Sequence, residues 1–276
     1  MITGQLDVPR IRPIPFRGEM ICGILADRKT QTRRLVTPQP ELGDHGWQWP
    51  SNIARSMVEI RDMASLGPYG RRGDKLWVRE TWRSWRQVCN HDDQEPCDEH
   101  CDQTYVAYRA TPRVGYRPIP DRQRITYLDE STPLERNREL LGPWKSPRFM
   151  PRWASRITLE IVNVRVQRLQ DITDDDAQAE GVEPYTPPAG HISPEQRVPG
   201  PGFDRCRLGD QPHRLPFADL WDSINGKRRR RWWDSVSEQW RVVIDESARW
   251  ELNPWVWAIT FRRLRDHLGR DMNAGD

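Results

Sequence analysis

Apolar residues recur along this chain in short runs, some with the alternation of strands and some with the spacing of helices. Alternation is typical of a half-buried strand, and a repeat of three to four residues is typical of an amphipathic helix. The strand patterns lie at 11–16, 75–82, 104–110, 156–169 and 255–261, and the helical ones at 17–26, 173–180 and 217–225. Several strands with few helices predict an α+β protein built on a small barrel.

Two of these strand patterns also predict their place in a sheet. Pro13 and Pro15 remove two backbone donors from the first pattern, which predicts an edge strand or an extended lead-in. In the fourth pattern the apolar phase changes by one residue between Ile161 and Val162. A β-bulge produces such a change, and bulges bend strands at the corners of barrels.

Two stretches show no clear periodicity. Residues 37–72 and 184–216 are rich in Pro and Gly, which punctuate regular structure. We therefore expect the first stretch to be irregular and the second to be a long insertion.

The strand predicted at 75–82 places a carboxylate among apolar side chains. Its alternation puts Glu80 on the same face as Leu76, Val78 and Trp82. A carboxylate there needs a cationic partner, or burial raises its pKa. Glu80 is therefore a candidate functional residue, and the alternative is a structural ion pair with an arginine.

Charge and composition narrow the classes of function. The 43 basic residues are nearly balanced by 40 acidic ones, and the net charge of +3 excludes a strongly basic nucleic-acid binder. Arginine outweighs lysine, and its planar fork suits contacts to phosphate or base. Most of the 14 tryptophans are predicted to lie in the core, and some could stack on a flat ligand such as a base.

The sequence predicts a cytoplasmic protein without membrane association. Its mean hydropathy is −0.87, and it has no apolar run near the roughly 20 residues that a membrane span needs. Its first residues lack the pattern of a secretory signal. Five cysteines in such a chain argue against a disulfide framework.

Cysteine and histidine residues cluster within residues 86–103. Thiolate and imidazole groups are the ligands of structural zinc, but the paired C-x-x-C spacing of common zinc modules is missing. The segment therefore predicts either a structural zinc site or a polar surface loop with incidental thiols, and no other cofactor is required. The candidate ligands are Cys89, His91, Cys97, His100 and Cys101.

A second cluster runs from Lys227 through four arginines into Trp232 and Trp233. Basic residues next to aromatic ones can bind phosphate and stack bases. The alternatives are a solvated basic arm and an arm that docks another protein.

Cationic and hydroxyl side chains are concentrated at residues 27–34, directly after the first predicted helix. Lys29, Thr32 and Arg33 would share one face if the helix continued through this run. A cation beside a hydroxyl can bind a phosphate, polarise a carbonyl or activate the hydroxyl as a nucleophile. The alternative is a solvated basic helix end, whose charges favour the helix C-terminus.

This run and the strand after Gly73 resemble the ASCH family of the PUA-like superfamily. The family's motif is G-x-K-x-x-T-x-R, which Lys29, Thr32 and Arg34 match, while Asp27 stands in for the glycine. A glycine just past a helix adopts left-handed backbone geometry at little cost, and Asp adopts it less freely. We therefore expect the loop geometry to differ a little from that of the family.

Residues 146–159 and 253–257 further resemble the large ASCH-like proteins of phages and prophages. The resemblance implies a PUA-like β-barrel with flanking helices and long irregular insertions, in a single domain over residues 1–276. The insertions are expected at 86–103, 184–216 and 227–252.

The resemblance also implies a cleft that binds RNA or nucleotides. The first expectation is thus a binding module for RNA, DNA or a modified nucleoside. Lys29, Arg33 and Arg34 would contact phosphates or base edges, and Trp82 and Tyr108 would offer stacking surfaces.

The alternative comes from small bacterial members of the family, which are amidohydrolases that act on N4-acetylcytidine. A hydrolase of this carbon–nitrogen bond would use Lys29 as a base on Thr32, which attacks the amide carbonyl, with Glu80 as the third member. Glu80 is assigned by its position on the strand. An ionised Glu80 would keep the lysine charged, so one of the two groups must be neutral.

Overall fold

A computed structural model describes residues 9–44, 46–51, 56–59, 63–64, 66–86, 104–110, 114–116, 143–185, 211–234 and 239–265. The candidate zinc ligands Cys89, His91, Cys97, His100 and Cys101 lie outside these ranges, as does most of the insertion expected at 184–216. Among the described helices, none has the length and apolar character that a membrane crossing requires.

Strands predominate over helices in the described ranges, so the α+β class is confirmed. The strands are β1 (Ile11–Pro15), β2 (Gln31–Leu35), β3 (Glu41–Gly43), β4 (Gly46–Ser51), β5 (Ser56–Glu59), β6 (Lys75–Arg79), β7 (Trp82–Arg86), β8 (Thr104–Tyr108), β9 (Val114–Tyr116), β10 (Thr158–Arg168), β11 (Arg228–Asp234), β12 (Gln239–Asp245) and β13 (Trp255–Arg263). The α-helices are α1 (Gly18–Leu25), α2 (Asp174–Ala179) and α3 (Arg214–Asn225). Short 3-10 helices lie at Pro147–Phe149, Arg152–Ala154, Leu169–Asp171 and Trp250–Leu252.

The largest sheet has five strands in the order β1-β6-β10-β13-β2. Strand β1 runs parallel to β6, whereas β10 pairs with β6 and β13 with β2 in antiparallel fashion. Smaller sheets have the orders β3-β4-β5, β7-β8-β9 and β11-β12. The edge position of β1 agrees with its two prolines, and no sheet of the described residues closes into a barrel.

The chain forms two compact units. The first consists of Met1–Asp27, Gly73–Ile161 and Arg262–Asp276. One part of its core, between β7, β8 and the 3-10 helices, is formed by Trp82, Val106, Tyr108, Met150 and Ala154.

The second unit consists of Arg28–Arg72 and Val162–Phe261. Helices α2 and α3 meet β13 in one cluster of buried residues: Leu169, Ile172, Ala177, Phe217, Trp221 and Val256. The predicted start of α2 is confirmed, because the Thr173 hydroxyl accepts a hydrogen bond from the Asp176 backbone N–H at 3.1 Å.

The basic run does not continue as a helix, which was the condition for a shared face of Lys29, Thr32 and Arg33. Asp27 has φ 56° and ends α1, since a left-handed residue cannot continue a right-handed helix. Residues 31–35 then pair with β13 as strand β2, with Thr32 opposite Ile259 and Arg34 opposite Trp257. In a strand, Thr32 and Arg34 share one face and Arg33 lies on the other.

Several further expectations need correction. Residues 37–72 are not irregular throughout, because β3, β4 and β5 form a sheet there. The basic run after Lys227 forms strand β11, which pairs with β12 in a two-stranded sheet. The strand expected at 75–82 ends at Arg79, and β7 begins at Trp82. Cross-strand pairing between neighbouring segments decides these cases, and the periodicity of one segment does not report it.

Candidate functional site

The first helix ends in the geometry that the motif's glycine would supply. Asp27 adopts φ 56°, and its carboxylate forms an ion pair with Arg263 at 3.5 Å and accepts a hydrogen bond from Arg265. The Arg263 guanidinium also donates to the Leu25 carbonyl at 2.7 Å, near the negative end of the helix. Asp27 thus takes the left-handed conformation with two arginines at its carboxylate.

Lys29 lies in the second unit as a buried cation at the C-terminal end of α2. Its ammonium donates to the Gln31 carbonyl at 2.8 Å, to the Glu180 carbonyl at 2.9 Å and to the Glu180 carboxylate at 2.6 Å. Gly181 follows with φ +82°, and a Cβ at that residue would lie 3.0 Å from the Lys29 Cβ. A glycine there allows the helix end to approach the lysine closely.

Arg33 continues this network on the same side of β2. Its two terminal nitrogens donate to Glu180 at 3.2 Å, to the Gln31 side chain at 2.6 Å and to Asp176 at 2.7 Å. Arg165 adds two further bonds to Asp176, at 3.0 and 3.1 Å. The side chain of Arg33 is 0% exposed. The expectation that Arg33 contacts a phosphate or base is thus wrong for this arrangement, because its donors face internal acceptors.

Burial and charge act against each other in this network. Desolvation lowers the pKa of Lys29, while the charge of Glu180 and the hydrogen bond that its carboxylate accepts from Lys29 raise that pKa. For Asp176, burial alone would raise the pKa, but the Gln31 hydrogen bond and the charges of Arg33 and Arg165 lower it. The carboxylates of α2 therefore compensate the cations that β2 buries.

Arg34 projects from the opposite face of β2, beside a cavity of about 290 Å³ within the second unit. The cavity combines a cation, three large aromatic rings and two small polar side chains. Its lining residues are Arg34, Leu35, Thr37, Trp49, Pro68, Tyr69, Asn225 and Trp257.

The aromatic walls of the cavity are held in fixed orientations. Trp49 donates from its indole N–H to the Pro38 carbonyl at 3.1 Å, and it meets Trp257 edge to face at 5.6 Å. Trp257 is 1% exposed, and a Cβ at Gly67 would lie only 2.9 Å from its ring. Gly67 therefore permits the position of Trp257, and the cavity needs little rearrangement to receive a ligand.

The cation of the cavity is poorly solvated. Desolvation lowers the pKa of Arg34, whereas electrostatic interactions with Tyr69 and Glu180 raise it. An arginine keeps its proton under these conditions, so the cavity wall carries a guanidinium cation. Its planar fork can form charge-assisted hydrogen bonds with an anion or with the acceptor atoms of a ring.

Glu80 lies in the first unit, where Arg156 binds both of its carboxylate oxygens. The two bonds measure 2.8 and 2.9 Å, and Glu80 is 1% exposed. Burial raises the pKa of Glu80, while the hydrogen bond and charge of Arg156 lower it. Of the two alternatives for Glu80, the structural ion pair with an arginine is the one observed.

The expected stacking residues are core residues of the first unit. Trp82 is 4% exposed, packs edge to face against Trp153, and carries the Lys145 ammonium 4.9 Å from its ring centroid. Tyr108 is 3% exposed, and the Arg156 guanidinium stacks on its ring at 4.0 Å. Neither ring has an open face for a base, so this expectation is wrong for the arrangement described.

The structure thus brings Lys29 and Arg33 of the basic run into one network, with partners that the sequence did not reveal. Glu180, Trp49, Tyr69 and Trp257 were missed. The alternation of β2 separates Arg33 from Arg34 once the run is taken as a strand, and that signal was available. The contacts of Glu180 join residues distant in sequence and carry no local signal.

No protein-family model, no curated protein and no solved structure matches this sequence. The resemblance to the ASCH family therefore stays a prediction.

Proposed function

We propose that the cavity beside Arg34 binds a nucleobase as part of a nucleotide, a modified nucleoside or a nucleic-acid end. The observation that carries the proposal is a buried guanidinium at the wall of a cavity lined by Trp49, Tyr69 and Trp257. Arginine and aromatic side chains are the groups with which proteins bind bases.

The size of the cavity supports a single base. Small-molecule pockets span roughly 300–1,000 Å³, and this cavity of about 290 Å³ lies at the lower limit. A heterocycle with its sugar suits such a volume, whereas a duplex does not. Thr37 and Asn225 add polar groups that can select among base edges.

The charge of Arg34 supports a ligand with acceptor atoms. The guanidinium presents a planar fork that matches a phosphate, or the paired acceptors of a base edge. Arg34 is the charged residue of the cavity lining, and Glu180 and Tyr69 interact with it electrostatically. A neutral apolar ligand would offer the guanidinium no acceptor and is disfavoured.

Titration calorimetry with nucleoside 5′-monophosphates and with N4-acetylcytidine tests the proposal. We expect saturable binding of one or more of these probes, and Arg34→Met should weaken it about 10- to 100-fold through the loss of a charge-assisted hydrogen bond. Arg34→Lys should not restore the affinity, since the fork is lost.

The matched control is Arg72→Met, because Arg72 is an exposed arginine of the same unit that does not line the cavity. It should bind like the unchanged protein. Absence of binding by the unchanged protein, or equal losses in the two variants, would contradict the proposal.

The proposal extends to the fold, as an ASCH-type domain on a PUA-like β-barrel of the kind that phage and prophage proteins resemble. The left-handed Asp27 at the position of the motif's glycine supports it. A crystal structure in which the edge strands of the large sheet pair and close it would agree. A sheet with two open edges would contradict this part of the proposal.

A second candidate is an amidohydrolase acting on N4-acetylcytidine, and Lys29 is the observation that favours it. Burial lowers the pKa of Lys29, which moves a lysine towards the neutral form that a general base requires. The scheme requires the Thr32 hydroxyl, which lies on the opposite face of β2 from the Lys29 network, to come within reach of the Lys29 amine. Lys29 would then take the proton of the Thr32 hydroxyl, the hydroxyl oxygen would form an ester with the acyl carbon, and the cytosine amine would leave with that proton. Water would then release acetate.

Chromatography of N4-acetylcytidine incubated with the protein tests this candidate. It requires formation of cytidine by the unchanged protein and loss of that activity in Thr32→Val, whose shape is similar. No cytidine from the unchanged protein, or undiminished turnover by Thr32→Val, would rule the candidate out while leaving the binding proposal intact.

A further inference from the structure

The first unit exposes aromatic and basic side chains along one short segment. Phe149 is 69% exposed and Trp144 is 40% exposed. Exposed basic residues alternate with them in sequence. We call this set the 144–152 surface, formed by Trp144, Lys145, Arg148, Phe149 and Arg152.

The backbone of the segment is fixed from below. Lys145 and Trp82 exchange two backbone hydrogen bonds, at 2.7 and 3.2 Å. Met150 is 1% exposed, and its sulfur accepts the Glu80 backbone N–H at 3.3 Å. The Ala154 carbonyl accepts the Tyr108 hydroxyl at 2.9 Å. Phe149 therefore points to solvent on an anchored backbone, with buried residues on either side of it.

The charge of the segment has one sign. Residues 143–156 contain four basic residues and no acidic one. The fourth, Arg156, is held by Glu80, so the surface keeps the three exposed cations. The Arg83 guanidinium stacks on Trp144 at 4.3 Å and adds a further cation next to this surface. The surface thus joins a concentrated positive charge to two aromatic rings.

We propose that the 144–152 surface binds single-stranded nucleic acid, with Lys145, Arg148 and Arg152 at the phosphates and Phe149 stacked on an unpaired base. A positive track with interspersed aromatic side chains is the arrangement that holds single strands without reading their sequence. A duplex keeps its bases stacked on one another and cannot use Phe149. This proposal does not rest on the function of the cavity, which lies in the other unit.

A single strand fits the surface better than an anionic lipid membrane does. Membrane-surface segments are amphipathic helices with one broad apolar face. This segment instead consists of 3-10 turns broken by Pro147 and Pro151, and its two exposed rings are separated by cations. Its cations are mainly arginines, whose fork binds a phosphate through two hydrogen bonds.

Fluorescence anisotropy with labelled dT20 and U20 oligonucleotides tests the proposal, with the matching 20-base-pair duplex as a competitor. We expect salt-dependent binding of the single strands and weaker binding of the duplex. Phe149→Ala should weaken binding about five- to 100-fold through lost stacking. Arg148→Ala should reduce the slope of log affinity against log salt by about 0.7, the value of one phosphate contact on a single strand.

The control variants are Leu252→Ala and Arg72→Ala, which truncate an exposed apolar residue and an exposed arginine of the second unit. Both should leave oligonucleotide affinity unchanged. Phe149→Ala should also leave mononucleotide binding by the cavity unchanged, which separates the two proposals.

Three results would overturn the inference. The first is the absence of single-strand binding, and the second is an equal loss in Phe149→Ala and Leu252→Ala. The third is binding to vesicles with 30% phosphatidylserine, lost in Phe149→Ala, together with no binding of either oligonucleotide.

Discussion

The two faces of strand β2 carry the same kind of side chain in opposite surroundings. On one face Arg33, with Lys29 just before the strand, meets the carboxylates of Asp176 and Glu180 at hydrogen-bond distance. On the other face Arg34 stands beside an aromatic cavity. One face holds a network of buried ion pairs, and the other lines a cavity.

This difference shows that a basic run is not one functional unit. A buried cation is stable only with partners that replace water. Where helix α2 supplies those partners, the cations hold the helix to the strand. On the other face the same kind of charge lines the cavity, where we propose that a ligand binds. Because successive side chains of a strand point to opposite faces, Arg33 and Arg34 lie in different surroundings.

The largest effect on stability is expected from removing a cation of the buried Lys29 and Arg33 network. Lys29→Met would leave the buried Glu180 carboxylate without its closest cation, and loss of one partner of a buried pair costs about 3–5 kcal/mol. Because Arg33 still reaches Glu180 at 3.2 Å, the loss should fall near the lower limit. Urea unfolding followed by tryptophan fluorescence measures it.

The control for that variant is Arg28→Met, one residue earlier. Arg28 pairs with Glu183, and both side chains are more than half exposed. Surface pairs contribute at most about 1 kcal/mol. Similar losses in the two variants would mean that the Lys29 network is not the stabilising feature described here.

A smaller effect on stability is expected from displacing a wall of the cavity beside Arg34. In Gly67→Ala the new methyl group would lie 2.9 Å from the Trp257 ring and must displace it. Overpacking of this kind costs about 1–3 kcal/mol, and the shifted ring should also weaken nucleotide binding. Gly18→Ala is the control, since its methyl group would lie 3.8 Å from the nearest atom. A Gly67→Ala protein with unchanged stability and affinity would contradict the assigned cavity wall.

The stability contributed by the buried network of Lys29 and Arg33 should also depend on pH. The pKa of Asp176 is lower in the folded protein than its ordinary value of 3.8, so its stabilising contribution is present above about pH 4 and is lost as the pH falls through the folded pKa. Asp176→Asn should be less stable than the unchanged protein at pH 7, and the difference should shrink between pH 4 and 2. Thermal unfolding at several pH values measures this, and a constant difference would speak against it.

The smallest effect is expected where the first helix ends. Asp27→Gly relieves a left-handed aspartate but removes its exposed contacts with Arg263 and Arg265. These terms oppose each other, so the free energy of unfolding should change by less than about 1 kcal/mol. Asp27→Asn keeps the side chain's size without its charge and should be slightly less stable than Asp27→Gly. The reverse order, measured by urea unfolding, would show that the polar contacts of the side chain outweigh the cost of a left-handed residue with a Cβ.

The pattern of neighbouring residues predicted several strands and helices correctly. The β-branched and aromatic alternation of β10 and β13, the Thr173 cap of α2 and the glycine after α3 all agree with the structure. The prediction that Glu80 needs a cationic partner also agrees with the structure, because the alternation of a single strand already places its carboxylate on a buried face.

Other features depend on contacts between distant segments. The basic run became a strand because β13 pairs with it, although its residues tolerate a helix. Glu180 and Trp257 reach the site from residues far along the chain, and no spacing within the motif indicates them. The sequence could therefore suggest the cations but not the side chains that surround each of them.

Arg34 and Arg33 provide the most direct test of the central claim. Titration calorimetry should compare nucleoside monophosphate binding by Arg34→Met with that by the unchanged protein, after urea unfolding has shown both to be folded. We predict that Arg34→Met loses most of the affinity with little loss of stability, whereas Arg33→Met loses stability first. Retained affinity in Arg34→Met, or a loss of affinity in folded Arg33→Met alone, would contradict the account.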